Sequence, residues 1–362
     1  MSDWPNNGCP PPPGTTGGAG APGSSSGERG IVPLGPGGGR RKALTLPSGL
    51  FFCVLGGAVA SSTLSLLGPV FVGYGLVSAS EAAGLRGKLL CLPASLVPAV
   101  ALSLSGGVAV VVTTVICCLA ALLVAELTLR GKVTPGVGCL VVAALALVHL
   151  GADTLVAASQ GTSVYASVEA VLDAYDAQLS GAGVTAVAVM QRVRSLMSTF
   201  WPMAYVVTAL GEFLFAGMGV SLAAPRMAER TVRPQRVSEF DLPLWVVAVL
   251  VAAAAVLALG LSLTGAVADV SVMVSANVIM SLRFAFAIQG LAVLAWFLGR
   301  HRVGPVASAL LGGAALYLEV QFVVLTIAGL VDVWANFRHL DRGGRPGVGA
   351  AAKQENGSAQ AD

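Results

Sequence analysis

The side chains best placed to do chemistry in this sequence are ionisable groups set inside apolar runs. Arg283 sits near the middle of residues 272–298, VMVSANVIMSLRFAFAIQGLAVLAWFL, a run long enough to cross a bilayer as one helix. A guanidinium at that depth costs at least ~2.5 to 3.5 kcal/mol on insertion scales, so it should face the protein interior and meet an anionic or carbonyl partner. Two other runs supply carboxylates half-way along: Glu212 within residues 201–222 and Glu319 within residues 306–331. Arginine suits the task because its fork holds two carboxylates at once and stays charged in apolar surroundings. The chemistry on offer is binding of an anionic group or a proton relay. The alternative is an ion pair that only locks helices together.

Asn277 and Gln289 share the run of Arg283, and Gln321 shares that of Glu319. A spacing of six rotates Asn277 and Gln289 well round the helix from Arg283, so the three cannot all face one pocket. Polar groups of this kind often serve as interhelical glue worth about 0.6 kcal/mol each. His149 and Asp153, four apart, share a face at the outer end of another run, as an interfacial hydrogen-bonding pair or a proton-linked one. Gly211, Gly217 and Gly219 read as sites of close helix packing. Catalytic signatures are missing: there is no GxxxxGK[ST], the GPGGG near the N-terminus has no strand and helix around it, and only three histidines exist. The six cysteines form no CxxC pair and have no histidines at zinc-ligand spacing, so neither a disulfide nor a metal site is expected. The chain reads as no enzyme, without cofactor, and without the means to power transport alone.

The elements that position these groups are membrane spans. Of 362 residues 55% are hydrophobic and 11% charged, against roughly 25% charged in a soluble domain. A net charge of +3 gives no reason to expect nucleic acid as a partner, and the basic residues lie in short groups between apolar runs. The predicted fold is all-α, a polytopic transmembrane bundle of about nine spans with one extracytoplasmic amphipathic helix. Residues 44–67 make the first span. Residues 70–80 are apolar but short, a tilted crossing or a re-entrant piece, with crossing preferred. Spans follow at 89–104, 108–127, 135–157, 201–222, 243–264 and 272–298, and residues 303–331 make one tilted final helix, with a hairpin at Gly312-Gly313 as the alternative.

Between the spans, residues 162–197 form an extracytoplasmic helical loop: Val164, Val168, Val171, Leu172, Tyr175 and Leu179 recur at helical spacing, whereas Glu169, Asp173, Asp176 and Gln178 fall elsewhere. Residues 223–242 form a basic cytosolic loop with Arg226, Arg230, Arg233 and Arg236. Residues 1–42, rich in Pro, Gly and Ser, read as a disordered cytosolic tail, and 341–362 as a disordered C-terminal tail; the transmembrane domain is 43–340. This assignment places 14 Lys/Arg inside and 6 outside, with the C-terminal tail outside unless one crossing changes.

Three local features in the C-terminal half carry a resemblance: Gln289-Gly290-Leu291-Ala292-Val293 followed by Arg300-His301-Arg302; Gly329-Leu330-Val331-Asp332-Val333-Trp334 with Asn336-Phe337-Arg338; and Phe240-Asp241-Leu242-Pro243 leading into a span. Over residues 164–340 the chain resembles the YybS-like bacterial multi-spanning membrane proteins, a domain of unknown function. That family is similar in general plan to the substrate-binding components of energy-coupling-factor vitamin transporters. The resemblance implies a compact helical bundle in the bacterial inner membrane and names no substrate.

Two functions are open at this stage. One is a transport-related component that binds a small molecule in a polar pocket near Arg283, together with a membrane transport module. The other is a scaffold that recruits envelope or division partners. Lipid is a partner in both.

Overall fold

The computed structural model describes residues 44–179, 184–227 and 237–340. The expected tails at 1–42 and 341–362, and Arg230, Arg233 and Arg236 of the basic loop, lie outside the described residues. Among those described, every regular element is helical and no strand occurs.

The helices are α1 (Leu46–Ala60), α2 (Gly68–Ser103), α3 (Gly107–Leu129), α4 (Pro135–Ser159), α5 (Val164–Leu179), α6 (Val184–Phe200), α7 (Met203–Ala223), α8 (Leu244–Ser262), α9 (Ala266–Arg300), α10 (Pro305–Phe322) and α11 (Val324–Ala335). Local sequence starts several of them. Thr45 and Ser48 cap α1 reciprocally, and Thr134 accepts from Val137 N at the start of α4, with proline in the first turn of each.

Residues 70–80 belong to the first part of α2, which breaks at Gly84 (φ 55, ψ −130), a conformation that suits glycine. The chain doubles back there. A side chain on Gly87 would collide with Ala79 O, and the Cys91 thiol lies 4.0 Å from Gly75 O, so the halves of α2 pack as a helical hairpin. α1 rests on both halves, with Gly49 against Ala79 and Gly57 against Ser95. α7 crosses the first half as closely, Gly219 against Val70 and Gly73 against Ala216. Of the three glycines expected to serve packing in α7, Gly219 meets backbone, Gly211 meets the Leu66 side chain, and Gly217 faces open space.

The interior is built from small and medium residues such as Val72, Ala120, Ala121, Val124, Ala209, Ala216 and Val220. Many large apolar side chains point outward, Leu155 at 74% and Leu85 at 72% exposure among them, while Leu76, Leu145 and Phe286 are buried. That inversion belongs to a bundle solvated by lipid, where small residues let helices approach. Six stretches are long and apolar enough to cross a membrane, Ser65–Leu129 counting as one although it turns at Gly84 and again at Gly107 (φ 86). Two further apolar helices, Leu46–Ala60 and Val324–Ala335, are shorter. Length and composition thus support about six candidate spanning stretches among the described residues.

Two expectations change. The amphipathic segment between α4 and α7 is two helices, α5 and α6, not one. The final apolar run is also two helices, parted at Val323 in the left-handed region (φ 58, ψ 30), while Gly312 and Gly313 stay inside α10. After this break the chain returns to the loop before α8, where Arg338 Nη1 donates to Ser238 O at 2.8 Å. The C-terminal border therefore lies beside the loop that was read as its opposite side.

Candidate functional site: a cavity where α5 and α6 meet α4 and α7

A cavity of about 720 Å³ opens where α5 and α6 cover the end of α4 and the start of α7. The apolar stripe of α5 lines it through Val164, Val168, Val171, Leu172 and Tyr175, and α6 adds Met190, Val193 and Met197. The 3.6-residue period sets the α5 side chains on the cavity face, where Leu172 is buried while Val171 and Tyr175 stay 55% exposed, and leaves Asp173 and Asp176 to pair with Arg194. Hydrogen bonds from Arg194, to Asp173 first and then to Asp176, raise the guanidinium above its usual range. The three groups are exposed, so the contact contributes little to stability.

At the cavity's base Tyr205 of α7 donates from its hydroxyl to Asp153 Oδ2 of α4 at 2.9 Å, and the Tyr205 ring meets Trp201 edge-on at 6.3 Å. One helical turn earlier on α4, His149 Nε2 lies 3.1 Å from both carboxylate oxygens of Glu212. This pair is sealed, with His149 3% and Glu212 1% exposed. The Cys117 thiol of α3 faces the same carboxylate. The face shared by His149 and Asp153 is thus a ladder of two polar rungs between α4 and α7.

Glu212 is therefore not a partner of Arg283, and that part of the expected constellation is corrected: α7 turns it toward α4. Arg283 meets Glu319 alone of the two. Its Nε donates to Glu319 Oε1 at 3.0 Å and its Nη2 to the Glu319 carbonyl at 2.7 Å. The Glu319 carboxylate also accepts from Thr326 Oγ1 at 2.7 Å and from Thr326 N at 2.9 Å. Glu319 thereby caps the start of α11 from the end of α10, which is the support the left-handed Val323 needs. Asn277 donates to Thr199 O and Met273 O, both at 2.7 Å, tying α9 to the end of α6; its Oδ1 is buried and has no partner among the described residues. Gln321 is exposed.

Gln289 joins a different centre. Its side chain is fully buried, accepts from Leu242 N at 3.1 Å, and donates to Asp241 Oδ1 at 3.2 Å and Asp332 Oδ2 at 2.8 Å. Arg338 closes the group by donating from Nε and Nη2 to Asp332 Oδ2 at 3.1 and 2.8 Å, with neither side chain exposed at all. Beside it, Gly290 and Gly329 let α9 and α11 touch backbone to backbone. The three stretches that carried the family resemblance thus converge on one buried network. Its members were read only as pattern, because a motif does not say which distant side chains it meets. Tyr205 and Thr326 were missed altogether, being single hydroxyls in apolar runs with no spacing signal.

No curated protein and no solved structure is detectably similar to the chain. The sequence model of one family matches residues 90–333, about two-thirds of the chain, from the second half of α2 into α11. It takes in Asp153, Tyr205, His149, Glu212, Arg283, Glu319, Asp241, Gln289 and Asp332, and ends before Arg338. On that match the chain belongs to DUF2232, a family described as predicted membrane proteins.

Proposed function

We propose that this protein is a transport-related membrane component that binds a small molecule in the cavity beneath α5 and α6. The observation that carries the reading is the cavity's make-up: about 720 Å³, mostly apolar in its lining, with Gln160, Ser167 and the Asp153–Tyr205 hydrogen bond among its polar groups. Small-molecule sites have this volume range and this pattern of apolar walls with few placed polar groups. The site moves from Arg283, where the sequence suggested it, because Arg283 is held by Glu319 whereas Asp153 lines a cavity. The resemblance to YybS-like proteins, read from the sequence motifs, would suit a binding role like that of the substrate-binding components of energy-coupling-factor transporters. Native mass spectrometry of the chain released from detergent micelles tests it. A small-molecule adduct should accompany the wild type and be lost in Val168→Trp, which fills the cavity. An adduct unchanged by that substitution refutes the cavity as its place.

In this reading the protein sits in the bacterial inner membrane with residues 1–42 in the cytosol and α5–α6 outside. The hairpins at Gly84 and Val323 allow nine or more crossings. With the C-terminal border beside the basic loop, 18 of the 21 Lys/Arg fall on the cytosolic side, two outside and Arg283 within, a stronger asymmetry than the sequence assignment gave. Single-cysteine labelling by an impermeant reagent in intact cells checks this: residue 176 should label, residues 25 and 345 should not, and labelling at 345 would reverse the C-terminal side.

A scaffold for envelope or division proteins is the second reading. The closed Arg283–Glu319–Thr326 clamp favours it, since it gives that constellation a structural role. Absence of any adduct from the wild type would move the weight there.

A further inference from the structure

We infer that the ligand of this cavity is an organic cation with an apolar body. The inference rests on the cavity being a binding site and goes on to name the ligand class. Asp153 is the one carboxylate among the lining residues, and no lysine, arginine or histidine lines the cavity with it. Its hydrogen-bond partner is the neutral Tyr205 hydroxyl. Of the two arginines in the covering layer neither lines the cavity: Arg194 is engaged by Asp173 and Asp176, and Arg192 is exposed.

Asp153 is half-buried among mostly apolar lining residues, and one hydroxyl donor replaces only part of the water that a carboxylate loses there. A cationic ligand supplies what is missing, and its charge interacts more strongly there than in water. Tyr175 and Tyr205 add aromatic rings to the walls, and ring faces attract cations. An anion would meet Asp153 unopposed. A neutral apolar molecule would remove the remaining water and leave the carboxylate worse solvated than before. Charge and shape therefore select the same class: one positive centre, enclosed by hydrocarbon or aromatic groups.

Three probes of similar shape and different charge test this: tetraphenylphosphonium, triphenylphosphine oxide and tetraphenylborate, each in equilibrium dialysis against the purified full-length chain in a neutral detergent. The expected result is saturable binding of the phosphonium, with the oxide and the borate weaker by about tenfold or more. Asp153→Asn, which keeps an acceptor for Tyr205, should remove that preference, and Asp153→Glu should retain it. The charge preference of the wild type needs no variant, so a misfolded substitution leaves the test intact. If the oxide or the borate binds as tightly as the phosphonium and Val168→Trp abolishes that binding, the ligand class is wrong and the cavity reading stands. If none of the three binds saturably, or Val168→Trp changes nothing, the cavity reading falls and this inference with it.

Discussion

Replacing Arg338 by methionine should destabilise the protein far more than a change at the edge of the chain would suggest. Arg338 donates twice to Asp332 and once to Ser238 O, and its Nη2 lies 3.6 Å from Asp241. Neither Arg338 nor Asp332 has any exposed side-chain surface. Methionine fills similar volume but removes both arginine donors from the buried Asp332 carboxylate, which keeps those from Gln289 Nε2 and Phe337 N. Breaking a buried pair from one side costs roughly 3 to 5 kcal/mol, most of it the uncompensated charge. Asp332→Asn in the Arg338→Met background should then recover part of the loss. Its amide is neutral and its one oxygen still accepts from Phe337 N, while its NH2 takes the place of the oxygen that accepts from Gln289 Nε2. The two substitutions are then strongly non-additive, as expected for groups in one network. Unfolding in mixed detergent and SDS micelles, followed by tryptophan fluorescence, measures all three variants. A loss below about 1 kcal/mol for Arg338→Met, or a double variant worse than the single, would refute the reasoning.

Two further substitutions separate backbone contact from backbone conformation in the same assay. Gly329→Ala places a methyl against Phe286 O and 2.7 Å from Gly290 N, forcing α9 and α11 apart at a cost of ~1 to 3 kcal/mol. Gly84→Ala meets nothing within 4 Å, so only its positive φ is penalised, by ~1 to 2 kcal/mol. Equal, negligible effects at both would contradict the packing described. Glu319→Leu removes the Arg283 pair and the cap on α11 together and should cost more than Thr326→Val, which loses one hydroxyl bond worth about 0.5 to 1.5 kcal/mol. The reverse order would show that Glu319 is not what holds the break at Val323.

Composition and periodicity made the class of this protein legible, because lipid requires apolar runs and those runs are visible one residue at a time. The apolar face of α5 was legible for the same reason, and its inward residues are those that line the cavity. Helix breaks were harder. Val323 carries none of the usual signs of a turn, and its left-handed backbone depends on Glu319 and Thr326 bonding across it, a tertiary arrangement that local sequence does not record. Partner choice was harder still. Depth along a run suggested that Glu212 could meet Arg283, but depth says nothing about which way a carboxylate turns, and Glu212 turns to His149. The 35-residue length of α9, ~50 Å of helix against ~30 Å of hydrocarbon, also means that the middle of its apolar run need not be the middle of the membrane.

The central claim is that Arg283 and Glu319 brace the helices while the outer cavity binds the ligand. It is tested most directly by native mass spectrometry of two folded variants side by side: Arg283→Met/Glu319→Leu, which removes the clamp, and Val168→Trp, which fills the cavity. The account predicts that the small-molecule adduct persists in the first and disappears from the second. An adduct lost from the first and kept by the second would contradict it and return the site to Arg283.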